Sequence, residues 1–162
     1  MSRDNFYQFT THWRFRGTCE EVSALLEDVA RIPQWWPSVH HAVHVVREGG
    51  EHSLGKVVDV VTKGVLPYTL RWRYEVVEVH YPNGSRLIAS GDLEGEGRWK
   101  IEQDGDSVNV TYDWDVRANH PCIRKYDFFM RPLFAANHNW TMRDGERGMR
   151  RELERLHAPP KS

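Results

Sequence analysis

Between residues 39 and 117 the chain repeats one pattern six times: a short run with apolar residues at every second position, closed by a turn signal. The runs are 39–47, 56–63, 68–80, 85–93, 97–103 and 107–117, punctuated by Gly49-Gly50, Gly64, Pro82-Asn83-Gly84, Gly95 and Asp104-Gly105-Asp106. A two-residue period sends alternate side chains to opposite faces of a strand, and most of these links are too short for crossover helices. Sequence neighbours are therefore predicted to pair as hairpins in an antiparallel meander.

What flanks the meander fixes the fold class. Phe9, Thr11, Trp13 and Phe15 alternate with Thr10, His12, Arg14 and Arg16, which predicts one more strand ending at Gly17. Thr18 and Glu21 have the spacing of a capping box, and Val22, Leu25, Leu26 and Val29 then share a face of a short helix reaching about Ala30. Pro33 and Pro37 bracket Trp35 and Trp36, so a broken helical piece or turn is expected there, its indoles covering one end of the core. After Pro121 the residues Ile123, Tyr126, Met130, Leu133, Met149, Leu153 and Leu156 can be laid along one side of a long helix, with a kink or break expected at Pro132. Strand, short helix, many hairpin strands and long helix make an α+β arrangement, in which a sheet of about six or seven strands buries its apolar face under the last helix. The chain has 162 residues, which suits one core. One domain over 6–156 is expected, with loose termini at 1–5 and 158–162.

Charge and composition exclude several function classes. Lys plus Arg number 22 against 23 for Asp plus Glu, so no net basic field favours nucleic acid. No run approaches the roughly 20 apolar residues that span a bilayer, and the first residues lack a secretory signal pattern. A cytoplasmic protein is expected. Cys19 and Cys122 are the only cysteines and lie in no CxxC pair, so both are read as thiols, Cys122 in the core. Gly91, Gly95 and Gly97 fall within strand and hairpin signals rather than at a strand-to-helix turn, so no phosphate loop or dinucleotide fingerprint, and hence no cofactor, is expected.

The aromatic content carries the functional argument. Seven Trp, six Tyr and six Phe make up 12% of the chain. Tyr68, Leu70, Trp72, Tyr74 and Val76 point one way along their strand; Val108, Val110, Tyr112, Trp114 and Val116 do so on theirs; Trp99 and Ile101 join from between. Each ring alone is most simply core. Together, Trp72, Tyr74, Trp99, Tyr112 and Trp114 would bring many polar tips into a solid interior, whereas a cavity holding water or ligand relieves that conflict. Asn137, His138 and Thr141 lie mid-helix, where a purely structural helix more often has Leu or Ala, and are expected to complete the pocket.

Three clusters offer sharper chemistry. His40, His41 and His44 could place two imidazoles on one strand face, but no carboxylate or cysteine stands at ligand spacing nearby, so surface or rim histidines are expected and no metal. Asp92, Glu94 and Glu96 alternate on one side of their strand; if Leu93 points inward they point to solvent. The inward or outward facing of His41, Asp92 and Glu96 is left open. His138, with Asn137, is the candidate acid/base group, against the reading of a helix side chain bonded to a strand carbonyl. Cys19 opens a helix, where a thiolate could be favoured, yet has no adjacent base.

A family resemblance rests on Trp35-Trp36-Pro37, Lys63-Gly64 with Leu66-Pro67-Tyr68, the stretch 90–95 with Gly97-Arg98-Trp99, Tyr112-Asp113-Trp114, and Asn137-His138 with Trp140 and Met142. On these the run from Trp13 to about Leu153 resembles the SRPBCC or START-like superfamily, the helix-grip fold, and in particular its bacterial polyketide cyclase/dehydrase and lipid-transport-like branch. The resemblance implies a seven-stranded sheet wrapped around the long helix with a deep cavity between them. It implies no invariant catalytic set, because members bind or transform varied apolar ligands. A carrier of a hydrophobic small molecule (lipid, polyketide or aromatic) ranks first, a cofactor-independent cyclase or dehydratase second, and a protein-interaction module third. The polar alternation of His12, Arg14, Arg16, Arg71, Arg73 and Glu75 argues against an apolar patch on the outer sheet face.

Overall fold

The computed structural model describes residues 6–63 and 69–159, apart from the side chains of residues 122, 124 and 127. Gly64, Leu66, Pro67, Tyr68, the outermost residues of both termini and the core placement of Cys122 lie outside that description.

Every strand read from the two-residue period is present. β1 (Phe6–Arg16), β2 (Ala42–Arg47), β3 (Val57–Thr62), β4 (Leu70–His80), β5 (Gly84–Gly91), β6 (Leu93–Asp104) and β7 (Ser107–Ala118) form one antiparallel sheet. Its order is β1-β7-β6-β5-β4-β3-β2. Consecutive strands pair as a meander and β1 closes on β7, with Trp13 opposite Val110 and Phe9 opposite Trp114. Register shifts between Val45 and Arg47 and between Val76 and Glu78 bend the sheet, as extra residues in one strand do.

Two boundaries differ from expectation. The β5–β6 turn falls at Asp92 rather than Gly95. Gly91 takes φ +102°, a left-handed conformation that glycine adopts without penalty. Asp92 is tied to β4, donating its N–H to the Arg71 carbonyl and accepting the Arg71 N–H at Oδ2 (3.0 and 2.8 Å). Leu93 therefore opens β6. β2 starts only at Ala42, because the His40 N–H turns back to the Trp36 carbonyl (3.2 Å).

α1 (Cys19–Glu27) begins with the predicted capping box. A 3₁₀ turn (Val29–Arg31) and α2 (Ile32–Trp35) supply the broken helical piece, with Trp35 and Trp36 both buried. α3 (Pro121–Lys125) precedes α4 (Asp127–His157). The helix break lies at Tyr126 and not at Pro132, which sits in the exposed second turn while α4 runs through it.

That break resets the helical phase. Ile123, Met149 and Leu153 are buried as expected, but Tyr126, Leu133 and Leu156 are exposed. The inward positions of the first half are Phe134, Asn137, His138, Thr141 and Met142 instead, the 3–4 spacing of one helical face. Farther on, a Cβ on Gly148 would overlap the Trp35 carbonyl oxygen, and one on Gly145 would lie 2.7 Å from Trp36 Nε1. The absence of side chains there lets α4 close onto α2.

Candidate functional site

Side chains of five neighbouring strands, β3 to β7, meet the inner face of α4 around a cavity of about 150 Å³. That is roughly tenfold the ~10–15 Å³ that admits one water. Trp72, Tyr74, Trp99, Tyr112, Trp114, Asn137, His138 and Thr141, all expected from the sequence, line it. Sequence reasoning missed Trp36, His40, Phe134 and Met142 in the same wall. Phe134 and Met142 stand at helical spacing from Asn137, His138 and Thr141, so that triplet carried the signal for them.

The rings form a continuous sheet-side wall. Tyr112 stacks between Trp99 (centroids 4.1 Å, 25°) and Trp114 (5.8 Å, 21°). Trp72 reaches Trp114 at 5.5 Å and Tyr74 at 5.7 Å. Gly97 makes room for them, since a Cβ there would lie 2.6 Å from the Tyr112 hydroxyl. Glu27, His52, Lys56 and Tyr81 also line the cavity, and the His52 and Tyr81 rings stack at 3.6 Å and 6°.

Some polar tips in this wall are satisfied. Trp72 Nε1 donates to Thr62 Oγ1 (2.9 Å), Trp36 Nε1 to the Thr141 carbonyl (2.7 Å) and Thr141 Oγ1 to the His138 carbonyl (2.8 Å). Others are not. His40 Nδ1 and His138 Nε2 are buried with no hydrogen-bond partner, a costly arrangement unless something in the cavity meets them. Burial lowers His40 to about 3 and His138 to about 4, so both imidazoles are neutral at pH 7. His138 stacks on Phe9 at 3.9 Å and 14°. Burial also raises the Tyr74 and Tyr112 hydroxyls, keeping them protonated donors.

His40 thus departs from the surface or rim placement on a strand expected of it: it precedes β2 and is buried, while His41 and His44 are exposed. Among the described residues no group of three metal-ligating side chains occurs. Leu93 is buried, and the acidic string faces outward: Asp92 binds the Arg71 N–H, Glu94 accepts from Asn119, and Glu96 pairs with Arg86 and Arg98. It offers no paired carboxylates to the pocket. Cys19 is buried and its thiol pKa is raised, by that burial first and then by Glu20. A thiolate is disfavoured there despite the helix start.

Among solved structures, TTHA0849 from Thermus thermophilus superposes with a TM-score of 0.78 at 16% identity, over 94% of this chain and 100% of that one. The Zhui aromatase/cyclase from Streptomyces sp. R1128 gives 0.70 at 16% identity, over 94% and 96%. A START superfamily protein from Mycobacterium smegmatis gives 0.66 at 15% identity, over 92% and 98%. At these identities the likeness is one of fold. No curated protein matches the chain in sequence. The family model for polyketide cyclase / dehydrase and lipid transport, however, matches residues 8–158. A seven-stranded sheet gripping one long helix over a lined cavity is the architecture that match implies, and the chain belongs to this family.

Proposed function

We propose that the chain holds a hydrophobic small molecule, a lipid, polyketide or aromatic compound, and acts in the cytoplasm as its carrier or sequestering protein, with 6–156 as one ligand-binding domain. The observation behind this reading is an aromatic cavity lined by two histidines, His40 and His138, whose buried Nδ1 and Nε2, respectively, lack partners. Ligand sites are mostly apolar with a few placed polar groups. Such a wall suits a ring or chain bearing one or two hydroxyl or carbonyl groups. Titration with an apolar fluorophore is expected to quench or transfer Trp emission. Trp99→Ala or Trp114→Ala should change that signal while the far-UV spectrum stays native. Failure of every apolar probe to bind would overturn the reading.

A cyclase- or dehydratase-like activity is the second reading, favoured by the neutral, unpartnered Nε2 of His138 beside Asn137 and by the likeness to an aromatase/cyclase. In it, His138 takes a proton from substrate and returns it to a leaving hydroxyl. A histidine lowered to about 4 is a weak base at pH 7, since general-base efficiency peaks when the pKa lies near the working pH. This ranks the carrier first. His138→Ala should abolish turnover and leave ligand affinity nearly unchanged if the enzyme reading holds.

A further inference from the structure

The outward face of α4 is as unusual as the inward one. Phe129, Leu133, Ala136 and Trp140 stand at i, i+4, i+7 and i+11, one stripe of the helix, and all four are exposed. Phe129 is 74% exposed and its neighbour Phe128 87%, far beyond the scattered surface apolar residues that need no explanation. The same stripe continues as Arg143, Arg147 and Arg151, also exposed. From Phe129 to Arg151 it runs about 33 Å at ~1.5 Å per residue.

The basic residues of this helix divide by their partners. Arg150 and Arg155, on the same helix, pair with Glu146 and Glu152. Lys125, Arg143, Arg147 and Arg151 make no ion pair among the described residues. From His120 to Arg143 the sequence has four Lys or Arg and one acid, and Glu154 is the first exposed acid beyond the stripe.

We infer that this face of α4 docks on an anionic lipid surface. The rings enter the headgroup boundary and the unpaired guanidinium groups meet lipid phosphates. An amphipathic helix with aromatic and basic residues lies in a membrane interface in this way, without spanning it. No described helix is long and apolar enough to cross a bilayer. A protein partner or a second copy would have to match an apolar segment and an unpaired cationic one along a single line; a bilayer surface of anionic lipids presents both environments to any helix laid on it. The inner face of the same turns carries Phe134, Asn137, His138 and Thr141 of the cavity wall, so docking brings the cavity to the membrane.

The test is co-sedimentation of the full chain with vesicles of phosphatidylcholine, alone or with phosphatidylglycerol added. Binding is expected to the anionic vesicles and to weaken with salt. Phe128→Ser with Phe129→Ser should reduce it tenfold or more. Replacing Arg143, Arg147 and Arg151 by Gln should reduce it about a hundredfold and remove the preference for anionic lipid. All five side chains face water, so the variants should fold, and circular dichroism checks this. Trp140 is the most exposed tryptophan, so brominated lipid should quench the unmodified protein. No binding to either vesicle, binding indifferent to these substitutions, or a concentration-dependent dimer dissolved by Phe129→Ser would overturn the inference.

Discussion

In its C-terminal half α4 sets Gly145 and Gly148 against the Trp36 ring and the Trp35 backbone, with Met149 and Leu153 fully buried beneath. In its N-terminal half the inward positions are Phe134, Asn137, His138 and Thr141, around a void. Trp36 marks the join, donating its indole N–H to the Thr141 carbonyl across 2.7 Å. One continuous helix over one curved sheet thus closes where side chains are deleted and opens where they are polar. The cavity owes as much to the two glycines that fix the closed end as to the rings that line the open one.

The largest expected effect falls at the closed end. An added methyl at Gly148 meets backbone, which cannot rotate away as a side chain can. Gly148→Ala should therefore destabilise the protein by about 3 kcal/mol or more, since overpacking typically costs 1–3 kcal/mol and occasionally exceeds that. This should override the ~1 kcal/mol that Ala gains over Gly in a helix interior. Urea unfolding at pH 7 measures it. A neutral or stabilised variant would show that α4 slides on α2, and the contrast between halves would fall.

Acid should act on the open end. His40 and His138 are held near 3 and 4 by burial, while an unfolded histidine titrates near 6.5. Below pH 6.5 the unfolded chain takes up protons that the folded one refuses, so stability falls with pH until the folded values are reached. The loss between pH 7 and 5.5 should be about 1 kcal/mol for each histidine. Urea midpoints across that range measure the slope, and His40→Gln should roughly halve it. A flat profile would mean that both rings already have water or ligand partners.

What the sequence carried and what it hid divide along the same line. Strand faces repeat every second residue along the stretches that carry the rings, before the β4 register shift after Val76, so the alternation alone places Trp72, Tyr74, Trp99, Tyr112 and Trp114 on one wall. The helix offered no such guarantee. Its phase resets at Tyr126, a break that Pro132 did not predict, and Leu133 moved outward while Phe134 moved in. His40 was missed for a related reason: a turn stabilised by the backbone of Trp36 replaces the first residues of the expected strand. The close approach of Gly148 had no local signature, because it depends on Trp35, more than a hundred residues away.

The smallest effect is the one that separates packing from binding. His138→Leu removes a buried nitrogen that has no partner and loses a ring contact with Phe9 at 3.9 Å. An unsatisfied buried polar group costs about 1–3 kcal/mol, and an aromatic pair contributes about 0.5–1.5 kcal/mol. The two nearly cancel, so stability at pH 7 should change by less than about 1 kcal/mol, with a gain more natural than a loss. A structural histidine would behave otherwise. If Nε2 held the fold through a hydrogen bond, its removal would leave that partner exposed to the same penalty and the variant would unfold measurably earlier. Thermal unfolding of the ligand-free protein decides between them, and a probe bearing a hydroxyl or carbonyl should then bind the Leu variant more weakly than the original while a plain hydrocarbon probe does not.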